Sequence, residues 1–505
     1  MTDPIAPPAS IRLARVSAFL RERYLSVDVR VLALFRVWFG LVLLGDVLRS
    51  LSVATMFFSN EGVLSNHFAL FSPIARPIVS VYLLFSTPGE IKFAFIVSAL
   101  ICLLYIAGWK TRWMQILALV IATSLNIRNE LLENGGVVLV NVVCAWTVFL
   151  PLGERFSVDA WLAKRRGQAW PSRKRFASLA MLGVILQLAA IYFLNNVQKV
   201  DPAWHRGEAV HWVLWQDRIA TTLTAWLRMH EPRWFSPLSS WGTLVFEGSA
   251  PILLLSPILQ KWLRSIHVLC AIGLHAGIAL LMTLGPFSYA MIALNLLVLP
   301  SETIDWLARR CSLGADAVSS TLPTYKSNRF GAIARELCAG LLLFCSGAEL
   351  LQDNGYFSRL PGWLRAGPPE ALSGVIGYPR LLQGWPMFAW APRDDGTLVV
   401  DAVTRSGRHI DPLTGKPPDF EAPLHGPGFH SQYLCDYELR ISSDRFRGYR
   451  EEMMRYLRRW PLLEGWPNSE LFTTIDVYWV SSDSPPYGQT VPTNIQRKLI
   501  VSSNH

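Results

Sequence analysis

The residues best suited to chemistry lie on one stretch, Ile191–Trp204, where a long apolar segment gives way to polar residues. At 100° per residue, Tyr192, Asn195, Asn196 and Lys199 fall within one helical stripe of about 100°. A buried lysine loses its proton readily because desolvation penalises the charged form, and a neutral amine is a competent general base. We interpret the stripe as an active-site wall. The alternative is a lysine that ends a membrane span and extends to the interface.

Other ionisable residues interrupt the apolar segments. Glu247 and His275 are candidates to bind substrate, because charged or polar groups inside a bilayer are costly and are kept mainly for function. The alternative for Glu247 is a structural hydrogen bond at a helix break near Pro251, and a lone intramembrane histidine more often bonds a neighbouring helix. Arg36 and Asp46, in the first apolar segment, are predicted to form structural ion pairs that hold helices together.

Membrane helices must position these residues. Of the 505 residues 51% are hydrophobic and only 17% are charged, against roughly 25% charged in a soluble chain. The predicted fold is mainly α: a polytopic helical membrane bundle of about nine spans with a small C-terminal α+β appendage. The predicted spans are 31–49, 91–108, 113–130, 136–151, 176–198, 240–258, 264–284, 286–300 and 331–351.

Three regions follow from this pattern. Residues 1–30 are predicted to form an amphipathic helix on the membrane surface. Residues 31–351 are predicted to form the transmembrane domain, and residues 352–505 are predicted to form the tail. Basic residues cluster in every second loop. The positive-inside rule therefore predicts a multi-pass protein of the cell membrane, with a cytoplasmic N-terminus and an extracytoplasmic tail, on the same side as Lys199. The elements predicted in the tail are strands at 397–404 and 475–480, a hairpin partner at 407–411, and a helix from 443 to about 459.

Several classes of function find no support. The net charge of +10 is concentrated in loops, which indicates orientation in a membrane and not a nucleic-acid partner. None of the seven cysteines forms a CxxC pair, so no metal site is predicted. Phosphate loops, nucleophile elbows and dinucleotide fingerprints are absent from the contexts they require. The N-terminal residues also lack the pattern of a signal peptide.

An ordered set of motifs over residues 27–300 resembles the membrane domain shared by vitamin-K-dependent gamma-carboxylase and its bacterial relatives, the horizontally transferred transmembrane (HTTM) domain proteins. Each motif alone is common, but the order is specific. The motifs are Leu34-Phe-Arg36 with Gly40, Phe57-Phe58 with Gly62-Val-Leu64, Asn134-Gly-Gly136, Leu150-Pro-Leu-Gly153 with Ser157-Val-Asp159, Tyr192 to Lys199 with Ala203-Trp204 and Gly207, Glu247, His275, and Gly285-Pro-Phe-Ser-Tyr289.

The resemblance implies a function. In the carboxylase, a lysine in the segment matching Gln198–Trp204 deprotonates vitamin K hydroquinone, and oxygenation yields an epoxide and a strong base that acts on a glutamate. Lys199 is accordingly the implied general base. The implied reactants are a reduced vitamin K-like naphthoquinone, oxygen and, where carboxylation follows, carbon dioxide. The implied partners are the lipid bilayer, the lipid-soluble quinol, and a protein substrate or partner on the extracytoplasmic side. The substrate-binding residues are expected to be Tyr192, Asn195, Asn196, Trp204, Glu247 and His275.

The chain departs from the carboxylase in two ways. Near Asn134-Gly-Gly136 the carboxylase has a histidine used in its chemistry, where this chain has glycine, and the tail is too short to replace the large lumenal region. We therefore expect a quinol-oxygenating or epoxidising enzyme, a lyase or oxidoreductase, rather than a protein carboxylase. The alternative is a non-catalytic membrane binding or assembly protein that keeps the fold. A transporter ranks third, because no broken helices repeat in two halves.

Overall fold

The computed structural model describes residues 16–71, 79–171, 174–310, 328–420 and 432–503. In this part of the chain, ten helices of ten or more residues precede the tail. They are α1 Val29–Ser52, α2 Pro88–Ala107, α3 Thr111–Arg128, α4 Gly135–Thr147, α5 Leu179–Val197, α6 Phe235–Leu255, α7 Gln260–Leu281, α8 Phe287–Leu296, α9 Ser301–Arg310 and α10 Arg329–Asp353. Shorter α-helices lie at Ala54–Phe58, Asn66–Leu70, Val158–Arg165, Pro202–Arg206, Ala209–Leu214 and Thr222–Met229.

Six of the described helices are long and apolar enough to cross a membrane: α1, α2, α5, α6, α7 and α10. A seventh span is formed if α8 and the start of α9, which meet at 98°, are taken together. The membrane class is confirmed, but the predicted count of nine spans is not. At about 1.5 Å per residue, the 13 residues of α4 are too short for a hydrocarbon core of roughly 30 Å. α3 is also not among the six helices, and its buried positions include the polar residues Gln115, Asn126 and Arg128.

The bundle brings α5, α6, α7 and α8 around one interior space. α5 packs against α6 and α10, α7 packs against α6 and α8, and α1 packs against α2 and α8. The ends of these helices follow from local sequence. Ser178 caps α5 by accepting a hydrogen bond from the amide of Ala180, as serine commonly does at a helix N-terminus. α2 ends at Ala107 and is capped by Gly108, whose φ of 69° favours glycine.

The N-terminal region begins differently from its prediction. Residues 1–15 of the predicted surface helix lie outside the described residues, 16–25 are helical, and 26–28 form a strand. This strand, β1 (Ser26–Asp28), pairs antiparallel with β2 (Arg175–Ala177). The pairing joins the chain before α1 to the chain before α5.

Arg36 pairs with no carboxylate among the described residues, whereas Asp46 forms an ion pair within its own helix. Arg36 is 1% exposed, and its guanidinium donates to backbone carbonyls instead of a carboxylate. Asp46 lies 3.9 Å from Arg49 of the same helix and accepts a hydrogen bond from the Tyr433 hydroxyl at 3.3 Å. Both residues join elements, but carbonyls and a hydroxyl satisfy much of their polarity. The carbonyls that accept from Arg36 belong to Ile106, Leu152, Arg155 and Phe156.

The tail contains a four-stranded antiparallel sheet in the order β4-β3-β5-β6. Its strands are β3 Asp394–Thr404, β4 His409–Ile410, β5 Phe472–Asp483 and β6 Thr493–Ser502. Its longer helices are α11 Gln432–Ser442 and α12 Arg450–Leu463. The helix predicted from Ser443 is wrong at its start, because a 3-10 turn over Asp444–Tyr449 precedes α12 and the Ser443 side chain makes no capping bond.

Three acidic residues of the tail have pKa values raised by burial. Burial raises the pKa of Asp411 and Asp436 to about 7 and that of Glu438 to about 8. Asp436 accepts a hydrogen bond at 2.8 Å from Asn134 at the start of α4, so one of these carboxyls lies where the tail meets the bundle. Their ordinary pKa is near 4, and the folded protein therefore holds protons at pH 5–7 that the unfolded chain releases.

We expect the free energy of unfolding to fall as the pH rises from about 5 to about 8. The folded pKa exceeds the unfolded one, so this contribution is complete below the unfolded pKa and is lost as the pH rises through the folded pKa. Each group contributes up to about 1.4 kcal/mol per pH unit. Thermal unfolding of the detergent-solubilised chain at several pH values measures how its stability depends on pH. Glu438→Gln is expected to flatten the slope, whereas Glu451→Gln, at an exposed position, is the control. Identical slopes in all three proteins would contradict the prediction.

Candidate active site

The candidate site lies where α5 ends beside α6. α5 ends at Val197, so Lys199 follows the helix and does not continue its stripe. Its amide nevertheless donates to the Asn196 carbonyl at 3.1 Å, which turns the lysine back toward the bundle. The Lys199 Nζ lies 2.7 Å from the Glu247 Oε2, and the two side chains are 2% and 5% exposed. The structure thus contains a buried amine–carboxylate pair.

Two further groups fix the position of this pair. The Asn195 Nδ2 donates to the other carboxylate oxygen of Glu247 at 2.6 Å, and the Lys199 Nζ donates to the Asn195 carbonyl at 3.3 Å. The Lys199 Nζ also lies 4.9 Å from the centre of the Trp204 ring, within the range of a cation–π contact. Each contact favours one defined position of the amine.

Two opposing effects act on the pKa of Lys199. Burial lowers the pKa of its ammonium below the ordinary lysine value, and the charge and hydrogen bond of Glu247 oppose that effect without cancelling it. A single proton shared across 2.7 Å places little net charge in the interior whichever partner holds it. Without that proton the pair is a neutral amine beside a carboxylate, a state that can take up one proton from a bound molecule.

A second polar chain crosses from α5 to α7 and α8. The Tyr192 hydroxyl accepts from the Asn295 Nδ2 at 2.9 Å and lies 2.9 Å from the His275 Nε2. The Asn295 Oδ1 lies 2.8 Å from the His267 Nε2. The tyrosine oxygen has two lone pairs and one proton, so it can either accept from or donate to the His275 Nε2. When it donates, the proton of a neutral His275 lies on Nδ1, which is buried without a hydrogen-bond partner.

Both polar groups border one cavity of about 90 Å³. The Lys199–Glu247 pair and the Tyr192–His275 pair form its polar walls. Two polar atoms at these walls, the Asn195 Oδ1 and the His275 Nδ1, are buried and have no protein partner. Such atoms are costly unless a ligand or water satisfies them. The remaining lining is apolar or hydroxyl-bearing: Ile191, Trp204, Val210, Val213, Thr243, Leu274, Ile278, Met282, Phe287, Met291, Met387 and Phe388.

A segment of the tail, residues 385–391, covers this cavity and is called the lid below. Met387 and Phe388 of the lid line the cavity directly. The Trp204 Nε1 donates to the Phe388 carbonyl at 2.9 Å, so the aromatic ring beside the lysine also holds the lid. The tail thereby contributes a wall of the site.

Asp201 attaches the lid to the loop after α5. One carboxylate oxygen accepts from the Ala203 amide at 2.8 Å, and the other accepts from the Ala391 amide at 3.1 Å. Arg393 approaches the same carboxylate at 3.4 Å. This side chain, two residues after Lys199, therefore links the catalytic candidate to a segment almost 190 positions later.

The family model described as HTTM domain matches residues 24–306, which is more than half of the chain. The chain belongs to the HTTM family. No curated protein and no solved structure matches the chain. The HTTM domain contains every cavity residue named above except Met387 and Phe388.

Most of the predicted site residues meet in the HTTM domain cavity. Tyr192, Asn195, Lys199, Trp204, Glu247 and His275 all line it. Asn196 does not line this cavity. Its Nδ2 donates to the Leu244 carbonyl at 2.8 Å, and it borders a neighbouring groove that Lys199, Val200 and His205 also line. In the described part of the chain, no group of three or more His, Cys, Asp or Glu residues is arranged to hold a metal ion.

Among the residues that sequence reasoning missed are two polar residues behind the cavity wall and the two lid residues that line it. His267 and Asn295 are polar residues within apolar segments, so the rule that identified Glu247 also applies to them. Met387 and Phe388 lie in the tail, outside the HTTM domain, and no local pattern assigns them to the cavity. The glycine turn packs against a lining residue: a Cβ on Gly136 would lie 3.0 Å from the amide nitrogen of Phe287.

Proposed function

We propose that this protein is a membrane enzyme that oxygenates or epoxidises a lipid-soluble quinol, with Lys199 as the general base. The observation that carries the proposal is the buried Lys199–Glu247 pair, 2.7 Å apart, in the wall of a largely apolar cavity. The resemblance of the HTTM domain to the vitamin-K-dependent carboxylase supports the choice of a reduced naphthoquinone as the substrate class.

The unpartnered atoms suit a quinol. The Asn195 Oδ1 can accept from one quinol hydroxyl, and the His275 Nδ1 can donate to a quinol oxygen in the tautomer that carries the proton there. The apolar lining suits the faces of a fused ring system. Reduced naphthoquinone and oxygen yield the quinone epoxide and water, so atoms and electrons balance. Lys199 takes the hydroxyl proton, and Glu247 stabilises the resulting ammonium and shares its proton.

The cavity must enlarge before a quinol binds. Its volume of about 90 Å³ is below the roughly 300–1,000 Å³ of most small-molecule sites. Phe388 lines both this cavity and an open groove on the other side of the lid, together with Val200 and Tyr356. Displacing Phe388 would join the two spaces. We propose this path for the quinol, because half-exposed apolar side chains at a helix end suit a lipid-soluble molecule.

Protein carboxylation is not part of the proposal. At the turn near which the carboxylase has its histidine, this chain has Gly135 and Gly136. Gly136 is tightly packed, since an added Cβ would lie 3.0 Å from the Asn134 Oδ1. The histidine that the carboxylase uses near this position is therefore missing.

The proposal is tested with membranes that contain the full chain. They are supplied with a reduced naphthoquinone under ¹⁸O₂, and lipid extracts are examined by mass spectrometry. We expect a quinone epoxide that carries one ¹⁸O atom, above the level in membranes without the chain. Equal epoxide in both membranes, or epoxide without the isotope, would refute the proposal.

A second candidate is a non-catalytic membrane binding or assembly protein. One observation favours it: the Lys199 amine is already engaged by Glu247, the Asn195 carbonyl and the Trp204 ring, as in a structural link between α5 and α6. Under this alternative, the same membranes bind the quinol without producing epoxide. A radiolabelled quinol distinguishes bound from converted substrate.

A further inference from the structure

A second cavity, of about 290 Å³, lies at the end of the bundle opposite Lys199. It is bordered by residues near the starts of α5 and α7, such as Met181 and Arg264, whereas Lys199 follows the far end of α5. Nothing in the proposed quinol chemistry uses it. Four basic residues face it: Arg23, Arg175, Lys261 and Arg264.

Arg264 is the central observation. It is only 7% exposed, and its Nε donates to the Leu254 carbonyl at 3.1 Å. Its Nη2 is buried without any hydrogen-bond partner. No carboxylate pairs with it among the described residues. A buried guanidinium with a free donor on a cavity is costly unless an anion or water completes its bonding.

The neighbouring cations are also not neutralised by carboxylates. Arg23 donates to the Pro257 carbonyl at 2.8 Å. The Lys261 ammonium lies 5.6 Å from the ring of Trp262, a cation–π contact that leaves its charge in place. Both add positive potential on the same side of the cavity as Arg264.

The acidic residues that border the cavity do not cancel this charge. Asp28 pairs with Arg30 at 2.7 Å, outside the lining. Glu22 pairs with Arg175 at 3.5 Å, and Glu302 is exposed at the rim. Outside these pairs, the lining carries three positive charges and one negative charge. The positive charges are on Arg23, Lys261 and Arg264, and the negative charge is on Glu302. The interior of the cavity is therefore an environment for an anion.

We infer that this cavity binds a phosphate-type anion, held by the free Nη2 of Arg264 and by the Lys261 ammonium. Guanidinium donors match the oxygens of a phosphate, and lysine adds a point charge. Apolar residues, Phe19, Leu259 and Val298, share the lining. Basic pockets among helices at the membrane surface commonly hold phospholipid headgroups. The same chemistry serves a lipid phosphodiester or free inorganic phosphate.

Native mass spectrometry of the detergent-purified full chain tests this inference. The chain is titrated separately with a short-chain phosphatidylglycerol, a matched phosphatidylcholine and inorganic phosphate. We expect phosphatidylglycerol to bind in preference to phosphatidylcholine. Arg264→Gln is expected to weaken that binding by roughly tenfold or more, as loss of a charged hydrogen bond does.

Two lysine variants keep the test decisive if Arg264→Gln does not fold. Lys261→Gln removes a charge from the cavity, and Lys164→Gln removes one from an exposed position of the helix Val158–Arg165. Weaker binding in the first variant alone supports the site. Binding of inorganic phosphate with the same sensitivity also supports it and identifies free phosphate as the ligand. The inference is overturned if neither anion binds more tightly than phosphatidylcholine, or if both lysine variants weaken binding equally.

Discussion

Lys199→Met is expected to abolish epoxide formation, with a rate at least roughly 10²–10⁴-fold below that of the unaltered protein. Methionine approximates the length of lysine but has no atom that can accept the quinol proton. Initial rates of ¹⁸O-labelled epoxide formation in lipid nanodiscs measure the effect. Lys92→Met, at an exposed position of α2, is the matched control and should keep the full rate.

The same variant leaves Glu247 buried without its partner. Breaking one side of a buried pair costs roughly 3–5 kcal/mol, so lost activity needs to be separated from lost folding. The double variant Lys199→Met/Glu247→Gln removes both charges and is expected to recover thermal stability without recovering epoxide formation. A stable Lys199→Met protein that retains the full rate would show that another group is the base.

Glu247→Gln is expected to lower kcat by roughly 10²-fold and to move the acidic limb of the pH–rate profile to lower pH. Burial alone then acts on the pKa of Lys199, because the carboxylate that opposes it is gone. A base works only when deprotonated, so a lower pKa lets the amine function at more acidic pH. The proton that Lys199 takes up, however, no longer has the Glu247 carboxylate as an acceptor 2.7 Å away. Rates measured between pH 5 and pH 9 give both kcat and the position of the acidic limb.

The matched control for Glu247→Gln is Glu349→Gln, which changes a carboxylate of α10 outside the cavity. It should leave kcat and the acidic limb in place. If Glu247→Gln also leaves both unchanged, the pair serves to join α5 and α6 and takes no part in proton transfer.

Much of the site was predictable because charges are costly in a membrane. Lys199, Glu247 and His275 each interrupt apolar sequence, and such residues turn inward. Helical phase was a weaker guide. It placed Asn196 beside Asn195, yet adjacent residues differ by 100°, and only Asn195 reaches the cavity. The end of α5 at Val197 changed the direction of Lys199 in a way that periodicity does not encode.

The tail was less predictable because long-range packing decides its structure. Strand β5 has the apolar alternation that identifies strands, whereas β6 is largely exposed and carries Gln496, Arg497 and Lys498 in its middle. It is a strand because β5 offers hydrogen-bonding groups along its edge. The lid has no repeating pattern, and its position depends on partners such as Asp201 and Trp204.

The origin of the lid in the tail has a consequence for biosynthesis. Met387 and Phe388 close a cavity whose other walls are complete once α8 is made. A nascent chain that stops before Trp385 therefore has Lys199 and Glu247 in place in a cavity that is still open on the side of the lid. Closure requires the chain to be synthesised through the lid, residues 385–391, and the lid to dock. The order of synthesis thus delays sealing of the cavity until well after its other walls have formed.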